Sequence, residues 1–121
     1  MESCDRLFVP LTAEVYEWYR SGLKRWEIRR YGRQYTEKTV RLGRRVELRY
    51  GYSDRRRSLW GTIVRVDAAP TMDQFFEKAP YPLVIPTAGS LQEAICTAQR
   101  ILNVSPDRGG PFLGFEVELE R

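Results

Sequence analysis

The chain has 121 residues, of which 42% are hydrophobic and 30% charged, with a formal net charge of +4. That composition suits one globular domain rather than a disordered chain, and no apolar run approaches the roughly 20 residues that span a bilayer. There is no histidine, and the two cysteines are Cys4 and Cys96; this excludes Ser–His and Cys–His nucleophile pairs and leaves too few ligands for a four-coordinate Cys/His zinc centre.

The run "RLFVP" (Arg6 to Pro10) is short, apolar and closed by proline, which predicts a first strand. Thr12 is a good N-cap with Glu14 in the first turn, so a helix is expected over residues 13–21, with Val15, Trp18 and Tyr19 on its inward stripe and Leu11 and Tyr16 placed for a hydrophobic staple. Gly22 stands where a left-handed C-cap belongs. Beyond it Trp26 and Ile28 alternate with Arg25, Glu27 and Arg29, an extended pattern, followed by a polar loop "YGRQYTEKTVRLG". "RVELRYGY" and "LWGTIVRV" read as two strands joined by the basic loop "SDRRRS", which places Arg55, Arg56 and Arg57 at a hairpin tip.

Thr71 then caps a short helix, "TMDQFFEKA", with a Met72, Phe75, Phe76 stripe. The three prolines of "PYPLVIP" exclude a central strand or a helix there. Ser90 and Glu93 form a capping box at the start of "LQEAICTAQRIL", whose inward positions are Leu91, Ala94, Ile95, Ala98 and Leu102, with Cys96 buried as a free thiol. "FLGFEVELE" is the last strand, with Phe115, Val117 and Leu119 on one face and Glu116, Glu118 and Glu120 on the other. Strands separated by turns rather than by regular crossover helices predict a small α+β domain, residues 1–121, with a curved or barrel-like sheet.

Charge is unevenly spread. Residues 20–65 hold 15 Lys and Arg against four acids, and Arg outnumbers Lys 17 to 3 in the whole chain. Arginine binds phosphate in bidentate fashion and stacks on bases, so this half has the electrostatic footprint of a nucleic-acid partner. Trp26, Trp60, Tyr31, Tyr35, Tyr50 and Tyr52 lie in the same half. Trp26 and Tyr50 are expected to pack within strands. Tyr31 and Tyr52, beside arginines near loop ends, are candidates for base stacking.

The octet Gly22-Leu23-Lys24-Arg25-Trp26-Glu27-Ile28-Arg29 resembles the Gly-x-Lys-x-x-Glu-x-Arg signature of the ASCH family, a branch of the PUA-like β-barrels. The helix before it, the glycine-marked strand start "RLGRRVEL" and the closing "FEVEL" fit the same pattern, so the resemblance covers about Leu7 to Leu119. It implies a small PUA-like β-barrel flanked by short helices, with a cleft into which Lys24, Glu27 and Arg29 point. It also implies a role with RNA or nucleotides. The residues alone leave Lys24 undirected, because strand parity sets it opposite Glu27 and Arg29 while it lies just after the capping glycine. If the three converge, two cations hold Glu27 as a carboxylate.

Three readings of function stand open. The first is an RNA- or nucleotide-binding module using Lys24, Glu27, Arg29, Arg30, Tyr31, Tyr52, Arg55, Arg56 and Arg57. The second is a hydrolase, acting on N4-acylated cytidine or on RNA, with Lys24 and Glu27 catalytic. The family's deacetylating members use a lysine, a threonine and an acid. Lys24 matches the lysine, but Glu27 stands at the threonine position and Ile85 to Thr87 carry no acid. The third is an adaptor for a protein partner. No cofactor, metal or membrane association is expected. "MESCDRLFVP" is acidic before it is apolar, the reverse of an export signal, so a cytoplasmic location is expected.

Overall fold

The computed structural model describes residues 6–52, 57–105 and 110–120. Its elements, in order, are β1 (Leu7–Leu11), α1 (Ala13–Arg20), β2 (Trp26–Arg30), β3 (Arg45–Tyr50), β4 (Ser58–Ala69), α2 (Met72–Lys78), a 3₁₀ turn (Tyr81–Leu83), α3 (Leu91–Leu102) and β5 (Phe112–Leu119). No helix among the described residues is long and apolar enough to cross a membrane.

The helices start where the caps predict. The Thr12 hydroxyl accepts from Val15 N (3.3 Å), Thr71 from Gln74 N (3.2 Å) and Ser90 from Glu93 N (3.2 Å). Each satisfies an amide that the helix itself cannot. The Glu93 carboxylate accepts from Gly89 N (2.7 Å), one residue earlier than a regular capping box requires. α3 differs from expectation in two side chains: Ala94 and Ala98 are buried, but Leu91 is 46% exposed and the Cys96 thiol is exposed. Leu91 stands at the first position of the helix, before the inward stripe has turned to the core. The proline segment forms a single 3₁₀ turn, which Pro82 tolerates because it sits in the first turn, where an amide would have no partner.

The five strands form one curled sheet in the order β1-β3-β4-β5-β2, with β1 parallel to β3 and the other pairs antiparallel. β4 runs three residues further than its apolar run, to Ala69, because β5 pairs with it along that length. A bulge between Ile63 and Arg65 shifts the register there, so Arg65 and Asp67 share a face with Glu116 and Gly114. One face of the sheet carries Leu7, Val9, Val46, Leu48, Ile63, Phe115 and Val117, all buried in the core.

The sheet is a half-barrel, open between its edges β1 and β2. Side chains bridge the gap instead of backbone pairing. Gln34, in the turn after β2, donates to Phe8 O (3.2 Å) and Arg29 of β2 to Pro10 O (2.9 Å). Two outward carbonyls of edge strand β1 are thereby taken, and Pro10 offers no amide, so the edge is blunted against pairing with a further strand. What remains along this seam is a groove lined by side chains.

Candidate functional site

The octet from Gly22 is built by a reversal of the chain. Gly22 adopts φ +81° after α1, a conformation that only glycine takes without strain. The amides of Leu23 and Lys24 then both donate to Trp18 O, at 2.9 and 3.2 Å. Lys24 is held against the helix end, two residues before β2 begins, and strand parity does not govern its direction. Its amine therefore reaches the same space as Glu27 and Arg29, and the three converge.

Lys24 and Glu27 are buried, at 4% and 6% exposure. Lys24 Nζ donates to Val84 O (2.5 Å), lies 3.5 Å from Glu27 Oε1 and faces the rings of Trp18 and Tyr19 at 5.9 and 5.6 Å. Glu27 Oε2 accepts from Arg29 Nε (2.7 Å) and lies 2.6 Å from its NH2. Arg29 NH1 donates to the Tyr35 hydroxyl (3.1 Å). Of five guanidinium protons, Glu27, Pro10 and Tyr35 take four, which leaves Arg29 one donor without a partner among the described residues. Beside this cluster the fully buried Tyr19 hydroxyl has no hydrogen-bond partner among the described residues. Desolvation first, and the Glu27 charge second, push that phenol well above its ordinary range.

Burial also lowers the Lys24 amine from 10.5 to about 8, with the Glu27 charge and hydrogen bond opposing the shift. Below pH 8 folded and unfolded chains both carry the proton, and the cost of burying it applies in full. Between 8 and 10.5 the unfolded chain binds more protons than the folded one, so stability rises with pH. The expected gain is on the order of 3 kcal/mol. Chemical denaturation at pH 7.5 and 10 should show this rise in the wild type and not in Lys24→Met. Equal slopes in the two proteins would mean that the amine is hydrated.

The groove at the seam has a volume of about 810 Å³, in the size range of small-molecule sites, and Phe8, Pro10, residues 29–35, Tyr52 and Leu102 line it. Of the trio only Arg29 reaches it; Lys24 and Glu27 lie beneath. Arg30 and Arg33 are exposed there and make no ion pair among the described residues. Arg33 is at φ +54°, at the corner of a turn closed by Gly32 N to Tyr35 O (3.0 Å) and Tyr35 N to Gly32 O (2.8 Å). A left-handed arginine is uncommon, and here it sets a cation at the groove rim. Tyr31 is 39% exposed and donates its hydroxyl to Glu37; Tyr52 is 75% exposed. Tyr35 stacks on the buried Phe115 ring (6.3 Å, 15°), which fixes the turn to the core.

Not every predicted residue joins the groove. Arg57 lies over the Tyr50 ring (4.7 Å), and Tyr50 in turn packs edge-on against Tyr16 (5.4 Å). Arg55 and Arg56 lie outside the described residues. Trp26 is buried, as expected, and packs edge-on against Phe75 (6.0 Å). Arg25, in the polar half of the alternating pattern, pairs with Glu116 (2.7 Å), and Glu116 is buried.

Sequence reasoning missed Phe8, Arg33 and Tyr35 of the groove lining, and the polar cluster behind the rim. Glu47, a polar residue of the "RVELRYGY" strand, is 3% exposed. Its carboxylate accepts from Arg6 Nε (2.9 Å), Arg49 Nε (2.8 Å) and the Ser58 hydroxyl (2.6 Å). Burial alone would raise its pKa; the three donors outweigh that and hold it below the usual carboxylate value. The signal was present: Glu-x-Arg occurs as Glu27/Arg29 and again as Glu47/Arg49, each an acid and a base on one strand face.

No family model matches the chain, and no curated protein matches it in sequence. Solved structures share its fold. One is the crystal structure of hypothetical protein PH0355, with a TM-score of 0.73 and 16% identity over 95% of this chain and 99% of that one. Another is the solution NMR structure of protein PF0455 from Pyrococcus furiosus, with a TM-score of 0.64 and 17% identity over 94% of this chain and 96% of that one. The match runs nearly end to end in both, and at these identities it concerns the fold.

Proposed function

We propose that the protein is an RNA- or nucleotide-binding module of the ASCH type, and that the seam groove receives the ligand. The observation that carries this reading is the groove lining: two exposed arginines, Arg30 and Arg33, without an ion pair among the described residues, interleaved with the rings of Tyr31, Tyr35, Tyr52 and Phe8. Cations along a channel track a phosphate backbone, and rings beside them stack bases without regard to sequence. Arg29 contributes its one remaining donor from the floor, and the buried Lys24–Glu27 pair fixes Arg29 in place. The basic half of the chain adds attraction over a longer range.

The test is binding of a labelled single-stranded RNA across a salt series. Affinity should fall steeply with salt. Arg30→Ala with Arg33→Ala should weaken binding roughly tenfold and flatten the log–log salt slope by about 1.4, the share of two phosphate contacts on a single strand. Absent or salt-insensitive binding overturns the reading.

The hydrolase reading has one observation in its favour, a lysine with a pKa brought to about 8 beside a carboxylate. Against it, Lys24 is 4% exposed and its amine already donates to Val84 O, so a substrate carbonyl has to displace that bond and the segment carrying it. Incubation with N4-acetylcytidine and with labelled RNA separates the two readings, and turnover abolished by Glu27→Gln would reverse their order.

A further inference from the structure

We infer that Phe8 and Tyr52 form a stacking subsite for one unpaired base at the β1/β3 rim of the groove, and that Arg49 and Glu47 are its positioning residues. This rests on the reading of the groove as a nucleic-acid site and names the part of the ligand held there.

The geometry is that of a corner. The rings of Phe8 and Tyr52 both line the groove, with centroids 6.1 Å apart and planes tilted by 55°. A base sandwiched between two parallel rings needs about 7 Å, two contact distances of roughly 3.5 Å. This pair is closer and tilted, so a base lies flat on one ring and meets the edge of the other, an arrangement aromatic groups favour. Duplex bases have both faces covered by their neighbours, so such a corner selects a base that is unpaired and unstacked.

The corner is set from behind. Arg49 is not part of the groove lining; it is buried, at 9% exposure. Its guanidinium carbon lies 4.6 Å from the Phe8 ring centroid, and its NH1 donates to Tyr52 O (2.8 Å). One side chain thus holds the ring of Phe8 and the backbone of Tyr52. Arg49 is itself oriented by Glu47, which accepts from its Nε (2.8 Å) and lies 2.7 Å from its NH2. Glu47 also accepts from Ser58 of β4 and from Arg6, whose guanidinium carbon is 5.7 Å from the same Phe8 ring. Register supports the arrangement, because Phe8 pairs with Glu47 and Pro10 with Arg49 in the parallel β1/β3 ladder. A carboxylate holding two arginines under one ring keeps the platform preformed, so ligand binding does not have to order it.

The experiment measures binding of a labelled single-stranded RNA, and of a blunt duplex of the same composition, to the full chain and its variants across a salt series. Phe8→Leu keeps an apolar side chain and removes the ring. It should weaken single-strand binding roughly tenfold, within the range of one base stack, and leave duplex binding unchanged. Glu47→Gln should produce a comparable loss in the wild-type background and little further loss in Phe8→Leu, with the salt slope unchanged in both. That coupling is the readout a merely structural or electrostatic role does not give. If Glu47→Gln fails to fold, Ser58→Ala, which removes one donor from the same carboxylate oxygen, takes its place in the cycle with the same expected coupling. Equal losses in both backgrounds, or a changed salt slope, overturn the positioning role. Single-strand binding that Phe8→Leu leaves intact overturns the subsite while the groove reading stands. No binding of any oligonucleotide by the wild type overturns both.

Discussion

Replacing Glu27 by alanine is expected to cost about 3–5 kcal/mol of stability, the price of removing one partner from a buried ion cluster. Glu27 sits between Lys24 and Arg29, at 3.5 and 2.6 Å. Without it both cations remain in place with less compensation. The two are not equally affected. The Arg29 side chain is 19% exposed and borders the groove, so it can turn to water. The Lys24 side chain is 3% exposed and enclosed by Trp18, Tyr19 and the backbone of Val84. Most of the penalty therefore falls on Lys24, and Lys24→Met introduced with Glu27→Ala should recover most of it. Thermal unfolding should show the single variant melting about 10–20 °C lower at neutral pH. The deficit should shrink as the pH rises, because Lys24 sheds its proton. A loss below about 1 kcal/mol would place the cluster in contact with water, as for a surface ion pair.

That expectation bears on function. The three motif residues do not share one job. Lys24 ties the end of α1 to the segment after the 3₁₀ turn, and Glu27 transmits its position to Arg29. Arg29 spans the open seam to Pro10 O and holds the Tyr35 hydroxyl in the groove. Residues that look like ligand contacts in the sequence thus act in good part by setting the shape of the groove, and in the proposed function it is the exposed arginines and rings next to them in the chain that would meet the ligand.

The local signals read well from sequence because their causes are local. Thr12, Thr71 and Ser90 cap helices through bonds spanning three residues, and Gly22 ends α1 by its own φ. What depended on partners across the sheet was hidden. Glu47 and Arg49 have the look of a solvated face, yet β3 lies between β1 and β4 with both of its faces covered. The extension of β4 to Ala69 follows from pairing with β5, and the bulge that turns Asp67 onto the face of Glu116 has no mark in composition. Phe8 sits in an apolar run where core packing is the default, and only the opening of the sheet between β1 and β2 makes it a groove residue. The convergence of Lys24 with Glu27 and Arg29 was legible as a motif and not from strand parity, since the amine is directed by the helix end.

Gly114→Ala is expected to destabilise the protein by about 3 kcal/mol or more and to weaken ligand binding, though Gly114 is no part of the groove lining. In the sequence this glycine merely weakens a strand. In the fold it lies in β5 between Ile28 of β2 and Asp67 of β4, and a Cβ there would stand 2.1 Å from Phe75 Cε1 and 2.7 Å from Cδ1. No such contact is tolerated, so the ring has to move. Phe75 is 0% exposed and packs edge-on against Phe76 (5.0 Å) and Trp26 (6.0 Å), so it has little room. Displacing it pushes on Trp26, the first residue of β2 and the neighbour of Glu27. The strain is then passed along the strand that carries Glu27, Arg29 and Arg30. Phe75→Leu alone leaves a cavity and also destabilises. Combined with Gly114→Ala it frees the space the new methyl needs, and the pair should cost less than the sum of the two single changes. Denaturant unfolding and RNA affinity, measured on the two single variants and the double variant, check this. Strict additivity in both would mean that the Phe75 ring does not transmit the strain to β2.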